Sequence, residues 1–410
     1  MMYKRFILIS LLIFSVTSIN AQAVLDKGMW RAALLRSDGK DIVFNLEIQQ
    51  QKGKTAFYVV NGQEKMLLND YKIEKDSLFI SMPVFESSFR LKMVSSDSLA
   101  GVWIKRGVSK NLEMPFSASI NQKYRFKPVN GDAGSNISGK WAIDFTSGDK
   151  HSPAIGNFEQ KGNNVTGSIL TPSGDYRFLA GIVTGDSLLL STFDGVHAMV
   201  FTAKVAKDSL TDAKVYSGAA PSGTWAGVKN SNAVLPDEQL TKLKDGEDGS
   251  LNFTFNDLDG KPVSIKDKRF KNKVVVIQLM GSWCPNCMDE TAFMSEYYNK
   301  NKNRGIEMIG LSYEYTTDLK RSTASVRKFQ KRFDVRYPLL ITPVALSDPE
   351  RTSKTLPQLT DIKVFPTTII LGKDGKIAEI TSDFFGPGTG EYYVLYKEKF
   401  EKTMKELLSK

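Results

Sequence analysis

Cys284 and Cys287 are the only cysteines in 410 residues, and they stand three positions apart in the stretch GSWCPNCMDE, 281–290. A pair at that spacing closes too small a loop to staple a fold, because the stabilisation from a crosslink grows with the loop it closes. The chemistry open to it is exchange, in which one thiolate attacks a disulfide and the second thiol resolves the mixed disulfide. Zinc is disfavoured, since a structural site takes four protein ligands and the only histidines, His151 and His197, stand far upstream in a β-rich segment.

Exchange needs a reactive sulfur, and the flanking sequence supplies one. The apolar, β-branched run VVVIQLM (274–280) reads as a buried strand, and Met288, Ala292, Phe293 and Tyr297 then recur at helical spacing. Cys284 therefore falls between a strand and a helix start, where unpaired backbone N–H groups and the positive end of the helix dipole meet. Such a seat favours thiolate and lowers the pKa from about 8.5. That makes Cys284 the candidate nucleophile and Cys287, one turn on along the same face, the resolving thiol. Pro285 suits the first helical turn, where its missing N–H has no helical partner anyway. Around the box, LNFTF and KPVSI flank the turn NDLDG, IEMIGLS (306–312) is the next strand, and Val326, Phe329 and Phe333 mark a second helix. VFPTTIILGKDGKIAEI reads as strand, turn and strand, and Tyr393, Tyr396, Phe400, Met404 and Leu407 as a closing amphipathic helix. Strands alternating with helices predict an α/β domain over 249–410.

With the buried strand before the CxxC box, VFPTT about 80 residues later and the KDGK hairpin, this C-terminal region resembles the thioredoxin superfamily, and within it the exported thiol-disulfide oxidoreductases of the TlpA and ResA type. The resemblance implies a thioredoxin-like fold and a redox disulfide between Cys284 and Cys287. It implies that Trp283 shields the sulfur, that Pro366 is a cis proline, and that Phe365 and Thr367 flank an extended substrate. Where thioredoxin carries a buried Asp six residues before the first cysteine, this chain has Gln278, which cannot titrate. ResA-like proteins use a Glu three residues after the second cysteine, and Glu290 matches it; Asp289 is a secondary candidate for the same proton. No Pro-Thr-x-x-x-Cys box points to a peroxiredoxin. The glycines of FFGPGTGEYY (384–393) lack a following Lys-Ser or Lys-Thr, so they read as a turn leading into a helix rather than a phosphate loop. No cofactor and no metal is expected.

The resemblance leaves the preceding 230 residues uncovered. There two segments repeat at a period of about 110 residues, a pattern that changes the expected fold. GMWRA (28–32), KDSLFIS (75–81) and SDSLAGVW (96–103) are matched in order by GKWAI (139–143), GDSLLLS (185–191) and KDSLTDAKV (207–215). Phe44, Leu46 and Ile48 alternate with Asn45, Glu47 and Gln49, as in a sheet with one wet face. Short strands joined by Gly-, Asn- and Asp-rich turns predict two antiparallel all-β modules, barrels or sandwiches, at 24–129 and 136–230, with a polar linker at 231–248.

The first residues place the chain. Lys4 and Arg5, an apolar run from Phe6 to about Val16 and a small-residue end at Ala21-Gln22-Ala23 read as a removed signal peptide, 1–23, because the run is too short to span a bilayer. The expected location is outside the cytoplasm, in the periplasm, soluble and without a lipid anchor, as no cysteine adjoins the cleavage site. The formal charge of +10 is scattered over many lysines with no dense basic block, which argues against nucleic acid. The sequence therefore predicts a thiol-disulfide oxidoreductase, acting as a reductase on disulfide-containing client proteins and re-reduced by a membrane-embedded thiol donor. The alternative is a binding or adaptor protein whose β modules hold a partner while the thioredoxin-like domain docks it; dimerisation through those modules is a third option.

Overall fold

A computed structural model describes residues 25–410 apart from 52–53, 123, 130–133 and 237–240. The expected signal peptide lies outside the described residues, as do parts of the segment between the two modules and of the expected linker. The alternating segment 28–119 forms nine strands: β1 Gly28–Leu34, β2 Ile42–Gln51, β3 Lys54–Asn61, β4 Glu64–Leu68, β5 Asp70–Glu74, β6 Ser77–Ser81, β7 Ser87–Ser95, β8 Ser98–Lys105 and β9 Leu112–Ser119. Their order is β4-β3-β2-β1-β9-β8-β7-β6-β5. The two edges of this curled sheet, β4 and β5, are consecutive in the chain with only Asn69 between them.

A second nine-stranded sheet follows: β10 Gly139–Ser147, β11 Lys150–Lys161, β12 Asn164–Thr171, β13 Gly174–Asp175, β14 Leu179–Thr184, β15 Ser187–Phe193, β16 Ala198–Ala206, β17 Ser209–Ser217 and β18 Gly223–Lys229. Its order is β11-β10-β18-β17-β16-β15-β14-β12-β13, and β11 also pairs with β12, which closes the ring. Both sheets are barrel-like, and in the second the closure removes the unpaired edges that invite aggregation. The repeat reaches the side chains. Trp30 and Trp141 start their modules fully buried, and each donates its indole N–H to the carbonyl four residues upstream, Asp26 at 3.0 Å and Ile137 at 2.8 Å.

The barrels pack on each other through β2 and β15. Phe44 and Phe193, both fully buried, stack across the junction with ring centroids 4.2 Å apart, and the Ser191 hydroxyl donates to the Val43 carbonyl at 2.6 Å. Phe44→Ala is expected to cost about 3–5 kcal/mol, the range for emptying an aromatic site in a core, read as a lowered denaturant midpoint.

The C-terminal region is a seven-stranded mixed sheet flanked by helices. Its strands are β19 Thr254–Asp257, β20 Pro262–Ser264, β21 Val274–Met280, β22 Ile306–Ser312, β23 Leu339–Ile341, β24 Thr367–Leu371 and β25 Ile377–Thr381. Its helices are α1 Pro285–Asn301, α2 Leu319–Arg332, α3 Arg351–Thr355 and α4 Glu391–Ser409. In the order β20-β19-β23-β22-β21-β24-β25, β21 lies between parallel β22 and antiparallel β24. All seven β21 residues are buried, which explains its continuous apolar run. The expected polar linker ends earlier than its composition suggests: Thr241 is buried and Leu243 bridges to Leu359, so its last residues belong to the C-terminal domain. Among the described residues no helix is long and apolar enough to cross a membrane.

Candidate active site

Strand β21 delivers the chain to its sheet edge and α1 leaves from it, so the two cysteines lie at the strand-to-helix junction. Cys284 is the N-cap of α1 and Pro285 occupies its first turn. Cys284 and Cys287 are joined as a disulfide with Cα atoms 5.2 Å apart. The Cys287 backbone N–H donates to Cys284 Sγ at 3.1 Å, a bond that would stabilise a thiolate after reduction. The Phe365–Pro366 peptide is cis, and the Phe365 carbonyl lies 3.5 Å from Cys284 Sγ. The two segments the sequence separates by about 80 residues thus meet at the sulfur.

Trp283 is half-buried, donates its indole N–H to the Tyr313 carbonyl at 2.8 Å and packs on Tyr315 and Phe365, with centroids 5.2 and 5.7 Å away. Thr367 is placed differently from the other residues expected to flank substrate. It is fully buried, and its hydroxyl is taken up by the Val364 carbonyl at 3.0 Å and Ser382 at 2.9 Å, so the side chain faces its own fold.

Glu290 is only 1% exposed. Its carboxylate accepts from Gln278 Nε2, Thr368 Oγ1 and Tyr396 Oη, each at 2.8 Å. Burial pushes its pKa above the ordinary glutamate value, against the three hydrogen bonds that favour the charged form. It contacts the cysteines indirectly: Gln278 Nε2 also lies 3.4 Å from the Cys287 carbonyl. Gln278 and Thr368 are cross-strand neighbours on β21 and β24, which is why both reach the same carboxylate. The residue that cannot titrate has become the link to the one that can.

Asp289 turns away from the sulfurs. It forms a two-pronged ion pair with Arg177 of the second barrel, at 2.8 and 2.9 Å. The same guanidinium reaches Glu64 of the first barrel at 2.6 Å and Asp194 at 3.4 Å. Arg177 sits at φ 55°, a backbone region that costs a non-glycine residue roughly 1–2 kcal/mol, and the Asp175 carboxylate accepts its N–H at 2.6 Å. Burial raises Asp194 and Glu64 alike, but His197 and Arg177 outweigh it at Asp194 and hold that carboxyl below the usual range, while Glu64 stays above it. His197 is thereby a partner of Asp194, 3.1 Å away, and His151 pairs with Asp144.

Asp175 is fully buried and its pKa is pushed up to about 6, burial being the main cause. It accepts from Gly386 N–H at 2.7 Å and from Asn286, the residue before Cys287, at 3.1 Å. The glycine-rich turn at 384–393, with its 3-10 turn Pro387–Thr389 leading into α4, thus also docks the second barrel. Sequence reading missed one more carboxylate. Glu314, just past β22, accepts from Ser282 N–H at 2.8 Å and Ser282 Oγ at 2.6 Å, and burial raises its pKa. Its only local signal is an acid directly after a buried strand that adjoins β21.

Residues 244–389 match the Redoxin family model. A thiol-disulfide oxidoreductase ResA from Bacillus thuringiensis is 33% identical over 128 residues, 31% of this chain and 64% of that protein. The ResA of Bacillus subtilis is 24% identical over 151 residues, covering 37% of this chain and 73% of that protein. A solved structure of a putative protein disulfide isomerase from Bacteroides thetaiotaomicron aligns at 23% identity with a TM-score of 0.31, over 42% of this chain and 93% of that one. The chain spans about 64% of the length of the first of these relatives, and the two barrels lie outside the matched region. The C-terminal part of this chain, 244–389, is a Redoxin-family domain homologous to ResA-type thiol-disulfide oxidoreductases.

Proposed function

We propose that the chain is an exported reductase of protein disulfides, working in the periplasm as a soluble protein without a lipid anchor. The observation that carries the reading is the Cys284–Cys287 disulfide at the mouth of α1, against the cis Phe365–Pro366 peptide. In the reduced chain the Cys284 thiolate attacks a client disulfide: a bond forms between Cys284 Sγ and one client sulfur, and the other client sulfur leaves as a thiolate. Cys287 then gives up its proton and attacks Cys284 Sγ, which expels the second client thiolate. The client gains two electrons and the enzyme ends as the disulfide. An external dithiol, proposed to be membrane-embedded, restores the reduced pair. The backbone around Phe365 and Pro366 positions the extended client, and Trp283 shields the sulfur.

The reductase direction is tested by equilibrating the pair with glutathione buffers. A potential of about −200 mV or lower fits a reductase, whereas a value near −120 mV belongs to an oxidant and overturns the direction.

In this scheme Glu290, one turn along α1 from Cys287 and oriented by Gln278, takes the Cys287 proton. It must be ionised to do so, so turnover rises with pH through a carboxyl pKa above the ordinary range. Glu290→Gln is expected to erase that limb and lower turnover by about a hundredfold, the lower end of general base contributions. An unchanged pH profile in the variant removes Glu290 from the scheme.

A further inference from the structure

The redox box is covered from both sides by the β modules. On one flank Phe85 and Glu86 of the first barrel and Gly195 and Val196 of the second face Trp283 and Tyr315 across a cavity of only about 20 Å³. On the other flank Asp175 holds Asn286, inside the box itself. Packing is close there: a Cβ on Gly174 would stand 2.4 Å from Asn286 Oδ1. Cys284 is 4% exposed, so little of it is open to a client sulfur in this arrangement.

We infer that the two barrels form a lid whose latch sets which substrates the site accepts: protein disulfides reach Cys284 only after the thioredoxin-like domain swings off the barrels. This deepens the reductase reading and rests on it. The latch has three parts, Arg177 on Asp289, Asp175 on Asn286 and Gly386, and Arg321 on Glu86. The last is a two-pronged pair at 2.6 and 3.0 Å, nearer the rim, where the Glu86 side chain is 22% exposed. The geometry of Arg177 suits a latch. When the lid opens, the guanidinium keeps Glu64 and Asp194, both on the barrels, and gives up only Asp289. The groups released on the redox domain, the Asp289 carboxylate, the Asn286 amide, the Gly386 N–H and the Arg321 guanidinium, are ones that water solvates well. Opening therefore strands no charge in an apolar interior, the condition that makes breaking a buried pair prohibitive.

The test compares the reduced full chain with Arg177→Lys and Glu86→Gln, each checked for an unchanged far-ultraviolet circular dichroism spectrum. The readouts are the alkylation rate of Cys284 by iodoacetamide and the rate of insulin reduction. Both rates are expected to rise about tenfold or more when the latch is weakened. Glu86→Gln, at the rim, carries the test where Arg177→Lys does not fold. Rates equal to those of the unaltered chain in a folded variant overturn the lid. Faster alkylation without any insulin reduction supports the lid and overturns the reductase reading beneath it.

Discussion

Cys284→Ser is expected to leave a folded chain whose insulin reduction is slower by at least about a thousandfold, because the thiolate is the attacking species and a serine hydroxyl does not ionise near neutrality. Cys284 carries this role rather than Cys287 because of where each sulfur lies. Cys284 caps α1, receives the Cys287 N–H and lies beside the Phe365 carbonyl, while Cys287 is fully buried one turn further on. Cys287→Ser should behave differently: the attack proceeds, but nothing resolves it, so a mixed disulfide between Cys284 and the client accumulates. Non-reducing electrophoresis followed by mass spectrometry of the adduct distinguishes the two variants. Insulin reduction by Cys284→Ser at the rate of the unaltered chain would remove the nucleophile from position 284.

Arg177→Met is expected to destabilise the fold by about 3–5 kcal/mol, the cost of leaving buried charges without their partner. The methionine keeps much of the volume, so the loss comes from charge. Asp194 and Asp289 are buried and Glu64 nearly so, and all three face the guanidinium. In a module of this size, where each kcal/mol shifts Tm by about 4–8 °C, the change corresponds to a fall of roughly 12 °C or more. The pH dependence has a definite sign. In the variant Glu64, already held above the ordinary value by burial, loses the guanidinium that opposes the shift, so its protonation favours the folded state and the deficit shrinks as pH falls. A deficit that stays constant between pH 7 and pH 5 would show that packing rather than charge is at stake. Thermal melts across that range decide the matter.

How much of this was legible beforehand can be judged from particular residues. VVVIQLM, the helical spacing of Met288, Ala292, Phe293 and Tyr297 and the proline of VFPTT correspond to β21, α1 and the cis bond at Pro366. The two barrels were legible because each repeats a tryptophan and the DSL turns at one offset, and that repeat reappears as the same indole-to-carbonyl bond at Trp30 and Trp141. Short elements with weak signals, β23 and α3, escaped because three to five residues leave too little periodicity to read. Thr367 looked like a substrate contact from its place beside Pro366, but its hydroxyl is spent inside the domain.

By itself, then, the sequence determined the chemistry and the local scaffold: a dithiol at a helix start, the strand that carries it, and two β modules ahead of it. These follow from interactions within a few residues, in which side-chain periodicity, capping and turn formation are properties of the local chain. Only the tertiary structure decided that Gln278, Thr368 and Tyr396 converge on Glu290, and that Arg177, 112 residues before Asp289, ties both barrels to the redox box. Hydrogen bonds and ion pairs of that kind depend on which buried surfaces meet, and nothing in the residues themselves distinguishes an arginine bound for solvent from one that will be sealed among three carboxylates.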